Sequence, residues 1–352
     1  MDIVSLIDWL GERPLAALFG LLTGGVFGVA AQRSAFCLRA ASVEFARGRL
    51  GPKVSVWFLT FSTALVWVQA ARLAGLFRPE EARMMAVTGS LSGAVIGGLM
   101  FGVGMVLARG CSGRLLVLAA TGNLRALIAG LIFAVVAQMS LRGWLSPLRD
   151  WLAQLWVTPD GRNLDIAAML HLPAYSGLAV GLATVVLALV LSLRNRIGPR
   201  TLIFASGVGF SVAVGWVLTY MLAQMSFEPM SVTSVTFTGP SASTLMFFLV
   251  PAPELDFDIG LVPGVFIGAF LSAAAVRELR FQGFEGESQL RRSMTGAVLM
   301  GFGGMLAGGC SIGNGVSGSS ILVATAWLAL FCIWVGAMLT DWLVDQRGAV
   351  AG

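Results

Sequence analysis

Three of the four cysteines in this 352-residue chain lie beside residues that break helices. Cys37 stands between two arginines in the segment QRSAFCLR, residues 32–39. Cys111 and Cys310 each follow a glycine and precede a serine. A thiol is a weak hydrogen-bond donor that can meet a soft sulfur ligand, and its thiolate is a nucleophile. These residues therefore indicate either the binding of a sulfur compound or covalent sulfur chemistry.

Two of these cysteines end an internal repeat. Residues 97–112 (GGLMFGVGMVLARGCS) and 296–311 (GAVLMGFGGMLAGGCS) are identical at eight of sixteen positions, with a constant offset of 199 residues. The stretches that follow each repeat are too short and too rich in glycine and serine to be further spans, so they predict re-entrant loops and half-helices. Such backbone persists at membrane depth only where it lines protein or a water-filled cavity. The counterpart of the Cys37 loop in the second half is the hydroxyl-rich segment SVTSVTFTGP, residues 231–240, which has no cysteine.

The elements that position these loops are apolar helices. With 57% hydrophobic residues, 12% charged residues and a mean hydropathy of +0.85, the chain is predicted to be an all-α polytopic membrane protein. Its apolar runs predict about nine spans, near residues 14–33, 54–77, 88–108, 123–141, 175–193, 201–224, 257–276, 293–308 and 321–340.

The charged residues between the spans predict their orientation. Basic clusters at 39–53, 194–200 and 277–292 alternate with an acidic connection at 228–258. The basic residues behind the net charge of +5 thus determine how the spans are oriented, and they do not indicate nucleic-acid binding. The positive-inside rule then places the N-terminus outside and the C-terminus in the cytoplasm.

In this topology the span before Cys111 runs inward and the span before Cys310 runs outward, so the two repeats are inverted. We expect a first repeat of four spans at 1–141, an outer interfacial segment and connecting span at 142–200, and a second repeat of four spans at 201–352. Transporters built this way bind substrate where broken helices meet at the repeat interface.

Arginines near the predicted breaks add positive charge to the anion-binding potential of helix N-termini. Arg33 is the preferred candidate, because an arginine at the edge of a span is costly without a function. Arg109 and Arg114 fit equally well as substrate contacts or as side chains that reach the cytoplasmic surface. Cys332 lies in an unbroken apolar run and is interpreted as packing. With His171 as the single histidine and no metal-ligand spacing, no metal, no cofactor and no catalytic residue are expected.

Three motifs together resemble the YeeE/YedE family of bacterial inner-membrane sulfur-compound transporters: QRSAFC (32–37), ARGCSG (108–113) and AGGCSIGNGVSG (307–318). The resemblance extends over nearly the whole chain. It implies an hourglass-shaped monomer in the inner membrane that takes up thiosulfate, passed along Cys37, Cys111 and Cys310 by transient hydrogen bonds. It also implies a cytoplasmic partner, a sulfur carrier of the TusA-like type.

The candidate substrate-contacting residues are the three thiols, one arginine and the small or polar residues around them: Cys37, Cys111, Cys310, Arg33, Gly110, Ser112, Gly309, Ser311 and Asn314. Three alternatives stay open. The chain could transport selenium compounds, it could be a membrane thiol oxidoreductase or sulfurtransferase that uses a cysteine pair, or it could be an anion channel.

Overall fold

The computed structural model describes residues 3–283 and 286–346, and in that part of the chain it contains helices and no β-strands. The α-helices are α1 (Ile3–Leu10), α2 (Glu12–Ser34), α3 (Leu38–Ala46), α4 (Pro52–Leu73), α5 (Arg83–Ala86), α6 (Leu91–Leu107), α7 (Ser112–Ala120), α8 (Leu124–Arg142), α9 (Ser146–Gln154), α10 (Ile166–Met169), α11 (Ser176–Arg194), α12 (Pro199–Met225), α13 (Thr238–Phe247), α14 (Phe257–Ala275), α15 (Glu287–Leu306) and α16 (Ala324–Thr340). Two π-helical turns, Gly313–Gly318 and Asp341–Gln346, flank α16.

Eight helical segments in the described residues are long and apolar enough to cross a membrane. They contain α2, α4, α6, α8, α11, α12, α14 and α16. The chain is therefore a polytopic all-α membrane protein, as predicted. The remaining predicted span, at 293–308, lies in α15, whose first turns contain Arg291 and Arg292 and are less apolar than the rest of the helix.

The two repeat helices α6 and α15 pack against each other in opposite directions. Gly93 near the start of α6 faces Leu306 at the end of α15, and Gly104 faces Gly296. A Cβ atom on Gly104 would lie 2.5 Å from the Gly296 carbonyl oxygen, so the two backbones touch. Without a hydrophobic driving force in lipid, such close backbone contact is a main source of helix association. Antiparallel packing is the arrangement that an inverted repeat predicts for these spans.

A second close contact joins α2 and α14, which run parallel. Helix α2 has a glycine at every fourth position from Gly20 to Gly28, and α14 has the same spacing from Gly260 to Gly268. These positions meet backbone to backbone along the whole interface. The glycine spacing places one stripe on one face of each helix, which explains why these two helices pair.

The order of elements also recurs along the chain. The series α2, α3, α4, α6, α7, α8 corresponds to α12, α13, α14, α15, the π-turn Gly313–Gly318 and α16, with α11 between the two series. Between α8 and α11 the connection carries three exposed tryptophans, with Trp144 at 93% exposure. The boundaries of the two repeats and the interfacial position of this connection stay predictions.

Candidate functional site

Each of the three candidate cysteines follows the same kind of chain reversal. A residue in the left-handed region stands two positions before each of them: Ala35 (φ 51°), Arg109 (φ 57°) and Gly308 (φ 74°). The next N–H group in each case bonds back to a carbonyl five residues earlier, which is the Schellman ending of a helix. The turn sends the chain away from its helix axis, and a short element begins directly after Cys37 and Cys111.

The reversals bring the three cysteine motifs together. The side chains of Cys37 and Cys111 are neighbours, and Cys111 is also a neighbour of Ser311, the residue after Cys310. Cys111 and Cys310 have no exposed surface, whereas Cys37 is only partly buried. Cys37 and Cys111, which are 74 residues apart in sequence, therefore lie together beside Ser311, the last residue of the repeated segment 296–311.

Cys310 has its own set of partners. Its Sγ accepts hydrogen bonds from the backbone N–H groups of Phe237 (3.4 Å) and Gly313 (3.3 Å). The Thr236 Oγ1 lies 3.8 Å from the same sulfur, and either atom can be the donor. The hydroxyl-rich segment expected as the counterpart of the Cys37 loop thus lies against Cys310. Sequence reasoning located this segment but assigned none of its residues to the site.

The polar candidate residues near the thiols differ in their hydrogen-bond partners. The side-chain amide of Asn314 donates to the carbonyl oxygens of Ala307 (3.1 Å) and Gly309 (2.8 Å), so it closes the loop that carries Cys310. Ser112 and Ser311 are buried, and the Ser112 hydroxyl has no hydrogen-bond partner among the described residues. An unpartnered buried hydroxyl is costly, so this group is available to a ligand.

The two candidate glycines lie inside the reversals. Gly110 packs over α7, where a Cβ atom would lie 3.3 Å from Leu115 Cδ2. A Cβ atom on Gly309 would lie 3.4 Å from the side chain of Asn314. A Cβ atom would thus make an ordinary contact at Gly309 and would require a small shift of the Leu115 side chain at Gly110, and both glycines belong to the turns that present the cysteines.

Arginines gather in a cavity of about 410 Å³ at the predicted cytoplasmic end. Its lining includes Arg33, Arg114 and Arg200, with Glu278 as the acidic member, and Ala35 from the Cys37 loop. Arg109 is placed differently, because it is exposed and donates to Gln289 Oε1 at 3.3 Å. Arg114 thus lines the cavity, whereas Arg109 does not appear in its lining.

A second cavity, of about 240 Å³, lies at the predicted outer end. It combines Arg13 and Arg83 with acidic residues that include Asp256. Its wall also includes Thr219 and Thr233, the latter from the segment that reaches Cys310. The arginine-lined cavity therefore borders the loop of Cys37, and the second cavity borders the segment that contacts Cys310.

Cys332 lies apart from these loops. It is buried in α16 and packs against α6, where a Cβ atom on Gly98 would lie 2.9 Å from Cys332 Cβ. Within residues 3–283 and 286–346, no group of three His, Cys, Asp or Glu side chains is placed to hold a metal ion.

A bundle of apolar helices whose broken elements meet at polar loops is an arrangement on which many membrane transporters are built. The chain belongs to the family described as Sulphur transport, which matches residues 33–339, a range that includes Cys37, Cys111 and Cys310. It is therefore a multi-pass membrane transporter of sulfur compounds.

Two relatives match almost over their full length. The chain is 28% identical over 351 residues to the thiosulfate transporter TsuA of Escherichia coli (strain K12), covering 94% of this chain and 95% of that protein. It is 24% identical over 345 residues to the thiosulfate transporter TsuA of Spirochaeta thermophila (strain ATCC 700085 / DSM 6578 / Z-1203), covering 93% and 99% respectively.

Proposed function

We propose that this chain takes up thiosulfate across the bacterial inner membrane and passes it along Cys37, Cys111 and Cys310 by transient hydrogen bonds. The observation that carries the proposal is the convergence of the three cysteine loops: Cys37 is a neighbour of Cys111, Cys111 is a neighbour of Ser311, and the adjoining Cys310 contacts Thr236 and the N–H groups of Phe237 and Gly313. Thiols donate weakly, which suits the soft terminal sulfur of thiosulfate and allows its release. Both relatives named above are thiosulfate transporters, which supports this choice of substrate.

Charge in the site supports an anionic substrate. Cys37 and Cys111 are the N-cap residues of α3 and α7, so the positive dipole ends of these two helices lie beside the cysteines. Arg33 and Arg114 then offset the charge of the anion in the adjoining cavity. No cofactor and no catalytic residue are needed for such a relay.

In the proposed orientation the N-terminus is outside, and the arginine-lined cavity opens toward the cytoplasm. A monomer would suffice for transport, and a TusA-like sulfur carrier would receive the substrate there. Reporter fusions at Gly286 and Leu255 test this orientation, with Gly286 expected in the cytoplasm and Leu255 outside. Finding both on one side would remove the argument from inverted repeats.

Uptake of radiolabelled thiosulfate into proteoliposomes tests the substrate directly. Saturable uptake that unlabelled thiosulfate suppresses more strongly than sulfate, sulfite or selenite is the expected result. Stronger suppression by selenite would support the selenium alternative, and uptake that rises without saturation would support a channel.

The three relay cysteines are distinguished from the fourth by substitution. Cys37→Ala, Cys111→Ala and Cys310→Ala should each lower the uptake rate by about tenfold or more if each thiol binds the charged substrate. Cys332→Ala removes a packing contact only and should transport at nearly the unmodified rate. With equal amounts of folded protein in the vesicles, a loss confined to Cys332→Ala would show that the site is assigned wrongly.

The contact between Cys37 and Cys111 also favours a second candidate, covalent sulfur transfer. In that reaction a thiolate attacks the terminal sulfur of thiosulfate, forms a persulfide and releases sulfite. A relay instead needs only a donor, so Cys→Ser variants at the three positions should retain more uptake than Cys→Ala variants. Serine variants that are all as inactive as alanine, together with a mass increase of one sulfur on Cys37 or Cys111, would favour the covalent reaction.

A further inference from the structure

We infer that Thr236 contacts the substrate and acts in the second repeat as the counterpart of Cys37. This inference rests on the proposed function, because it adds a hydroxyl to the thiosulfate relay. Thr236 follows Cys37 by 199 residues, the same spacing that separates Cys111 from Cys310.

The contacts reproduce this correspondence. In the first repeat the partly buried Cys37 interacts with the fully buried Cys111. In the second, the partly buried Thr236 lies 3.8 Å from the fully buried Cys310. Each pair therefore has one fully buried group and one group with part of its surface exposed.

The hydrogen bonds around Cys310 indicate which way the Thr236 hydroxyl donates its proton. The sulfur of Cys310 already accepts two backbone N–H groups, from Phe237 and Gly313, so its S–H proton is free to be donated to Thr236 Oγ1. The threonine O–H then points away from the sulfur and is available to an incoming anion. A hydroxyl is a stronger donor to the oxygen atoms of a sulfur oxyanion than a thiol is.

Thr236 also lies on the chain that leads to the outer cavity. Thr233, three residues earlier, lines that cavity, whereas Ala35, two residues before Cys37, lines the arginine-rich cavity. The two accessible groups thus belong to opposite ends of the path. A substrate that enters from the outer cavity would meet the Thr236 hydroxyl before it can interact with buried Cys310.

Thiosulfate uptake by Thr236→Val and Thr236→Ser proteoliposomes tests the inference. Valine keeps the branched shape and removes the hydroxyl, so we expect an increase of about tenfold or more in KM for thiosulfate, as for a lost hydrogen bond to a charged group. Serine keeps the hydroxyl and should restore KM to within about twofold of the unmodified protein. Thr63→Val is the matched control, because Thr63 is buried in α4 and its hydroxyl already donates to carbonyl oxygens of its own helix, those of Leu59 and Thr60.

Binding is measured separately from transport by the rise in unfolding temperature that thiosulfate produces in detergent. Thr236→Val should lose most of this rise, and Thr236→Ser should keep it. If the valine variant does not fold, Thr236→Ala takes its place in the comparison with serine. If the unmodified protein and Thr236→Val both transport thiosulfate with the same KM, the inference is overturned and the proposed function stands. Unmodified protein that neither binds nor transports thiosulfate would overturn both.

Discussion

The contact between the two repeats at the centre of the molecule can be tested through Gly113, the second residue of α7. A Cβ atom there would lie 2.5 Å from Ile312 Cδ1 and 3.0 Å from Phe237 Cε2. Carbon atoms pack at about 3.5–4.0 Å, so Gly113→Ala must displace the isoleucine methyl by about 1 Å and the ring by about half as much. Both side chains are buried, and the Phe237 N–H donates to Cys310. The added methyl therefore shifts the groups that hold Cys310.

Overpacking of this kind costs about 1–3 kcal/mol in a closely packed core. If the assembled site bears that cost, the fraction of protein competent for transport falls by between about fivefold and about 150-fold. Initial rates of radiolabelled thiosulfate uptake, normalised to folded protein in the vesicles, measure this fall. The matched control is Gly130→Ala in α8, since no atom lies within 4 Å of a Cβ atom there. We expect Gly130→Ala to transport at the unmodified rate.

A second substitution locates the cause. Ile312→Val removes the Cδ1 methyl that the new Cβ atom would meet, so the Gly113→Ala/Ile312→Val protein should recover part of the lost uptake. Recovery should be incomplete because the contact with Phe237 remains. Normal uptake by Gly113→Ala, or a double variant no better than Gly113→Ala alone, would refute the reasoning that these loops must touch.

Two further predictions compare neighbouring or chemically identical residues. Gly24→Ala should lower the unfolding temperature in detergent, because its Cβ atom would overlap the backbone of α14, whereas Gly25→Ala should be nearly neutral, with its closest atom at 3.9 Å. Equal unfolding temperatures would contradict the parallel glycine contact. Arg33→Gln should raise KM for thiosulfate by about tenfold, and exposed Arg109→Gln should leave KM unchanged. Equal KM values for the two arginine variants would show that the cavity does not bind the anion.

Much of the helix pattern follows from hydropathy alone. The apolar run at 14–33 became α2 (Glu12–Ser34), and the run at 175–193 became α11 (Ser176–Arg194). Such runs are easily read because a bilayer requires about twenty apolar residues in succession. The pairing of α2 with α14 was not predicted, although both glycine series are visible in the sequence. A glycine stripe shows that a helix has a close partner, but it does not identify that partner.

The candidate site, too, was only partly predictable from the sequence. Cysteines beside glycine and serine identified the loops, and the repeat indicated that two of them are related. The left-handed turns at Ala35 and Arg109 could not be recognised, since neither residue is the glycine that usually marks such a helix ending. Thr236 was overlooked for a different reason. The predicted site rested on thiols, and at this position the second repeat has a hydroxyl.

The arrangement of the central groups suggests how binding and release are balanced. Transport requires that the substrate bind well enough to enter and weakly enough to leave, which several weak sites achieve better than one strong site. A buried thiol is a poor donor, and the hydrogen-bond partners of Cys310 are uncharged, whereas Arg114 in the cavity interacts electrostatically with Cys37. Full positive charge beside Cys310 would hold an anion there, because attraction between charges strengthens where water is excluded. In the relay proposed above, uncharged donors at Cys310, with arginine charge on the side of Cys37, therefore fit passage better than storage.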